Sequence, residues 1–116
     1  MGSEMCIRDR LKTYAPEQIV FVGDSSGGNL ALVLAQQLHL QNKPQPAQMI
    51  LVSPWLDVSM SNPGMVESNK RDPYLSLDPA NYLGRMHAGD LDTKDPLVSP
   101  MSVSYTHLTL PTILRV

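Results

Sequence analysis

The chain has 116 residues, room for one modest domain and short for an enzyme sheet with many crossovers, which commonly takes about 200–250 residues. Nine Lys and Arg against 11 Asp and Glu, with 42% hydrophobic and 17% charged residues, exclude an acidic solvating tail, a collagen-like repeat and a strongly basic nucleic-acid binder. The longest apolar run, Leu30 to Ala35, is far below the about 20 residues of a membrane-spanning helix, so no transmembrane segment is expected.

In chain order, the leading MGSEMCIRDR carries charges where a secretory signal needs an apolar stretch, which makes the cytoplasm the default location. Its single cysteine, Cys6, cannot form an internal disulfide. With no Cys-x-x-Cys pair and three scattered histidines, no metal site and no redox chemistry are expected. Gln18-Ile-Val-Phe-Val22 reads as a buried parallel strand between Pro16 and Gly23. After Gly23-Asp-Ser-Ser-Gly-Gly28, the Leu- and Ala-rich run Asn29–Leu40 predicts a helix of about four turns, apolar on more than one face and closed by Asn42, Pro44 and Pro46. Ala47–Val52 is a second buried strand, ended by Ser53-Pro54. Strand, helix and strand at this spacing predict one βαβ unit, in a sheet covered on both faces. From Ser59 to Pro100, prolines break the chain into connecting helices and loops, expected over one sheet edge. One helix start is clear there, with Asp78 as N-cap and Pro79 at the first helical position.

The chemistry is expected at Gly23-x-Ser25-x-Gly27. A Gly-x-Ser-x-Gly between a buried strand and a helix is a nucleophile elbow: the serine takes a strained turn, and the flanking glycines leave room for close strand–helix approach. The helix N-terminus then offers unpaired N–H groups to a developing oxyanion, the first being that of Ser26. A phosphate-cradling loop fits poorly, because the P-loop lysine is missing, and the extra Ser26 breaks the serine-loop spacing of trypsin-like proteases. His39 and His87 read as exposed helix residues, and Asp57, Asp72 and Asp95 as cap or turn formers.

IVFVGDSSGGNLAL, MILVSPWLD, RDPYLS and DPLVSP together resemble consecutive landmarks of the α/β-hydrolase fold in the hormone-sensitive-lipase-like esterase group, from about Tyr14 to Pro100. The fold class expected is therefore α/β: a partial α/β-hydrolase fold in which a parallel strand–elbow–helix–strand unit is followed by connecting helices and loops. The resemblance implies a serine carboxylesterase or lipase of short to medium acyl esters, its partner a small-molecule ester and its cofactors none. It implies Ser25 as nucleophile, Ser26 as oxyanion donor, Asp24 as the acid typical of this elbow, Gly23, Gly27 and Gly28 as elbow structure, and Trp55 and Leu56 near the active-site rim. Such enzymes also carry a His-Gly-Gly-Gly loop before the elbow, and an acid and a histidine after two later strands. No such loop string precedes Gly23. Asp95 and His107 come in the right order, but no further strand–helix unit lies between them.

Two alternatives stay open: a GDS-type esterase on a flavodoxin-like sheet, and a non-catalytic α/β fragment or interaction module. Both ends of the chain read differently from its middle. MCIRDR and SYTHLTLPTILRV resemble translated sequencing-adapter read-through, so residues 1–10 and 102–116 are set aside as a non-native leader and tail, and residues 11–101 are taken as the central fragment of a hydrolase domain. On that reading the fragment by itself is expected to be nearly inactive.

Overall fold

A computed structural model describes residues 9–102 and the backbone of residues 112–115. Cys6, His107 and most of the two terminal segments set aside above lie outside the described residues. The chain divides into two units between Trp55 and Leu56, and residues 112–115 belong with the first.

In the first unit a helical segment over residues 9–13 leads to a 3-10 turn, Pro16–Gln18. Gln18 accepts the Ala15 N–H on its side-chain oxygen at 3.1 Å. Proline starts the turn with its φ already set and its missing N–H unneeded. This turn consumes Gln18, so strand β1 runs Val20–Asp24, two residues later than the apolar pattern predicts. Helix α1, Ser26–Leu40, follows without a gap for a loop, and strand β2 is Gln48–Val52. The two strands pair in parallel from Val20 opposite Gln48 to Asp24 opposite Val52. A third strand, β3, Thr112–Arg115, pairs in parallel with the other edge of β2, giving the order β1-β2-β3. No strand is expected there from the sequence, because residues 102–116 are set aside as a non-native tail.

The core of this unit lies between α1 and one face of the sheet. Phe21, Met49 and Leu51 point from the strands to Ala31, Ala35 and Leu38 of the helix, and Leu11, Ile19, Leu32 and Leu34 pack around them. Side chains alternate faces along a strand, so Val20, Val22 and Val52 stand on the opposite face, and there they are exposed. Among the described residues only one face of β1 is covered, and Val22 retains 68% of its accessible surface.

The second unit holds helices α2, Met65–Asn69, and α3, Leu77–Ala88, then a 3-10 turn at Pro100–Ser102. Asn69 ties the two helices by accepting the Leu77 N–H on Oδ1 at 2.9 Å. Helix α3 begins before the predicted start, with Ser76 rather than Asp78 in the N-cap position and extended backbone there. Pro79 still falls within the first turn, where a missing N–H costs nothing. Val58, Val98 and Ser99 are buried; Ser99 Oγ accepts the Val58 N–H at 2.8 Å and donates to the Thr93 carbonyl.

Candidate active site

Ser25 occupies the single residue between β1 and α1, with φ 54° and ψ −115°. These are the angles of the first central residue of a II′ turn, a position normally left to glycine. A serine held there stores roughly 1–3 kcal/mol of strain, which persists only where the surroundings over-determine it. They do so here through the backbone. The Ser25 N–H donates to the Val52 carbonyl at 3.0 Å, and the Ser25 carbonyl accepts the N–H groups of Gly28, Asn29 and Trp55 at 3.1, 3.3 and 2.9 Å.

The side chain is spared. A serine in the N-cap position usually spends its hydroxyl on an N–H of the first helical turn, yet Ser25 makes no such bond and is exposed. Its Oγ stands free at the carboxyl end of a parallel strand, the edge where ligands of α/β sheets bind. Ser26 is the first residue of the helix, so its N–H has no carbonyl one turn back to donate to. Asp24, the last residue of β1, is exposed beside them.

The glycines divide the work differently from the symmetric spacing expected of them. A Cβ on Gly23 would stand 2.2 Å from the Gly27 carbonyl oxygen, so Gly23 is what lets strand and helix meet. A Cβ on Gly28 would stand 2.7 Å from Pro54 Cβ, whereas one on Gly27 would meet nothing within 4 Å. The steric requirement thus falls on Gly23 and Gly28. Gly27 contributes its backbone.

Three residues outside the site expected from the sequence complete these surroundings. Asn29 is fully buried, and its Nδ2 donates to the Trp55 carbonyl at 2.7 Å. Ser53, which directly follows β2 as Ser25 follows β1, also has a positive φ, 40°. Pro54 rests against Gly28. The available signal was Asn29 itself, a short amide opening an otherwise apolar helical run. Burying such a group is costly unless it is hydrogen-bonded.

Trp55 is half-buried at the end of the first unit. Leu56 opens the second unit, where its carbonyl accepts the Met101 N–H at 3.2 Å. His39 lies at the far end of α1, roughly 20 Å from Ser25 at the helical rise of 1.5 Å per residue. His87 is exposed on α3.

The acids outside the elbow serve turns, as expected. Asp57 accepts both the N–H and the hydroxyl of Ser59 on Oδ1, and those of Ser61 on Oδ2. Partial burial raises its pKa, but these hydrogen bonds outweigh it and hold the carboxyl below the ordinary carboxylate value. Asp72 is likewise lowered, by the N–H groups of Leu75 and Tyr74. Asp95 accepts the Leu97 N–H at 2.9 Å.

Residues 6–115 match the family model described as alpha/beta hydrolase fold. An esterase of Acinetobacter venetianus is 36% identical over 103 residues, covering 87% of this chain and 33% of its own length. A triacylglycerol lipase of Mycobacterium tuberculosis is 35% identical over 95 residues, covering 82% of this chain and 17% of the lipase. Among solved structures, the hormone-sensitive-lipase homologue EstE7 from a metagenome library superposes with a TM-score of 0.76 at 28% identity, over 84% of this chain and 34% of its own. An esterase from the bacterial hormone-sensitive lipase family superposes at 0.73 with 28% identity, over 84% of this chain and 32% of its own. The chain spans about a third of the length of the Acinetobacter relative, and less of the lipase. It belongs to the α/β-hydrolase fold family, in the hormone-sensitive-lipase-like group of esterases and lipases.

Proposed function

We propose that this chain carries the nucleophile elbow of a serine ester hydrolase, with Ser25 as nucleophile. The observation that supports it best is the Ser25 hydroxyl itself: exposed, not used as a cap, and fixed in a left-handed turn between a parallel strand and a helix. Ser25 Oγ attacks the carbonyl carbon of a short to medium acyl ester, and its proton passes to a base. The negative charge that develops on the carbonyl oxygen is met by the Ser26 N–H and the positive end of α1. The tetrahedral intermediate collapses by breaking the bond to the alcohol, which leaves with a proton, and water then cleaves the acyl-enzyme to release the acid and restore Ser25. Asp24 supports the elbow, and Trp55 and Leu56 belong to the rim that meets the substrate. No metal or organic cofactor enters this scheme.

The 116 residues by themselves turn esters over at a small fraction of the rate of a complete triad. Within the first unit the one described histidine, His39, sits at the wrong end of α1, and a serine without a base is a weak nucleophile.

A fluorophosphonate probe followed by peptide mass spectrometry tests the assignment. Covalent labelling at Ser25, lost in Ser25→Ala, is expected; absence of labelling at high probe concentration overturns it in favour of a non-catalytic module. Sustained p-nitrophenyl acetate hydrolysis by the chain alone, abolished by Ser25→Ala, would instead keep the nucleophile and refute the near-inactivity.

A further inference from the structure

We propose that Asn29 is a positioning residue that acts through Trp55, holding the backbone of Ser25 and the tryptophan beside it in one geometry. The proposal rests on the reading of Ser25 as nucleophile and adds to it a device outside the elbow motif.

A side-chain amide is costly to bury unless it is hydrogen-bonded. Asn29 has no accessible surface, and its Nδ2 spans 26 residues of sequence to reach the Trp55 carbonyl at 2.7 Å. Trp55 in turn donates its N–H to the Ser25 carbonyl at 2.9 Å, the shortest of the bonds that carbonyl accepts. The other backbone group of Ser25, its N–H, is bonded to Val52. Both polar groups of the nucleophile's own peptide units are therefore held by the segment from Val52 to Trp55, and Asn29 grips the far end of that segment.

Between the two attachment points the segment is bent sharply. Ser53 has φ 40°, outside the wells that a serine ordinarily occupies, and Pro54 is pressed onto Gly28. A backbone held in such a region relaxes when one of its ends is released. Losing the Asn29 donor takes this hydrogen bond from the Trp55 carbonyl and loosens one end of the bend. The Trp55 N–H then leaves the Ser25 carbonyl, and Ser25 loses a bond that keeps its turn in place. Nucleophile geometry and the position of Trp55 change together, which a residue serving only the helix would not produce.

The test uses the full 116-residue chain, whose single tryptophan is Trp55. Amide hydrogen exchange is followed at Trp55, Ser25 and Leu51 in wild type, Asn29→Asp and Asn29→Ala, together with tryptophan anisotropy decay and the rate of fluorophosphonate labelling. Asp preserves the shape of Asn but replaces the donor with a second acceptor. The expected result is protection at Trp55 in wild type, exchange at least about tenfold faster at Trp55 and Ser25 in both variants with Leu51 unchanged, a faster indole anisotropy component, and labelling slowed at least about tenfold. Exchange of the wild-type Trp55 amide at its unprotected rate overturns the proposal without any variant. So do variants that lose Trp55 protection but keep the Ser25 amide and the labelling rate at wild-type values. If Asn29→Asp loses Leu51 protection as well, the uncharged Asn29→Ser replaces it under the same criteria. If wild-type Ser25 is never labelled, the nucleophile reading fails, and exchange at Ser25 alone still decides the positioning.

Discussion

The Gly23 Cα faces the Gly27 carbonyl so closely that a methyl group on it would stand 2.2 Å from that oxygen. This one contact sets how tightly β1 can turn into α1, and hence where Ser25 is held. The distances predict an ordered alanine series. Gly23→Ala is expected to be the most damaging, since backbone on both sides must shift. Gly28→Ala follows, with Pro54 giving way. Gly27→Ala, which meets nothing within 4 Å, is expected to be neutral or to stabilise by up to about 1 kcal/mol through helix propensity. Urea denaturation midpoints of the three variants check the order, and a Gly27→Ala loss as large as that of Gly23→Ala would refute it.

Strain at Ser25 has a measurable counterpart. Glycine occupies φ 54°, ψ −115° without the steric cost that a serine Cβ incurs. Ser25→Gly is therefore expected to raise the unfolding free energy by roughly 1 kcal/mol, within the range for such backbone strain, while removing all covalent labelling. Ser25→Ala removes the labelling and leaves stability nearly unchanged. Equal stability of the Gly and Ala variants would mean that the turn is unstrained.

Acid should weaken the second unit through Asp57. Its folded pKa is below the ordinary value of 3.8 because four hydrogen bonds from Ser59 and Ser61 outweigh the effect of partial burial. The unfolded chain thus takes up the proton first on acidification. The stabilisation is present above about pH 4 and is lost as the pH falls through the lower folded pKa. Asp57→Asn is expected to lower stability near pH 6 and to flatten the loss that sets in below about pH 4. Parallel pH profiles for the wild type and the variant would show that Asp57 is not the group responsible.

Ser99 serves the same unit from within. It has no exposed surface, and its hydroxyl both accepts from Val58 and donates to Thr93. Ser99→Ala leaves a buried N–H and a carbonyl without their partner, a loss of about 1–3 kcal/mol by the usual cost of an orphaned buried group. Ser99→Thr keeps the hydroxyl and isolates the cost of an added methyl group. Chemical denaturation of both variants separates the two effects.

Much of this was written in local sequence. The strand–Gly-x-Ser-x-Gly–helix order, the parallel pairing of two apolar runs through a helix, and the turn-forming acids Asp57, Asp72 and Asp95 follow from residue type and spacing, because each depends on neighbours a few positions away. The helix starts and strand ends were off by a few residues where a competing local structure won, as when the Pro16 turn took Gln18 from β1 and Ser76 took the cap of α3 from Asp78.

What only the tertiary structure decided depends on contacts between distant residues. That Gly28 rather than Gly27 bears the steric requirement is set by Pro54, 26 positions away. The hold on Ser25 comes from Val52 and Trp55, and Asn29 secures it through a bond that no helical periodicity encodes. The exposure of Val22 is also a tertiary fact. A run of apolar residues states that a strand can be buried on both faces, whereas what packs against each face is settled by the rest of the fold.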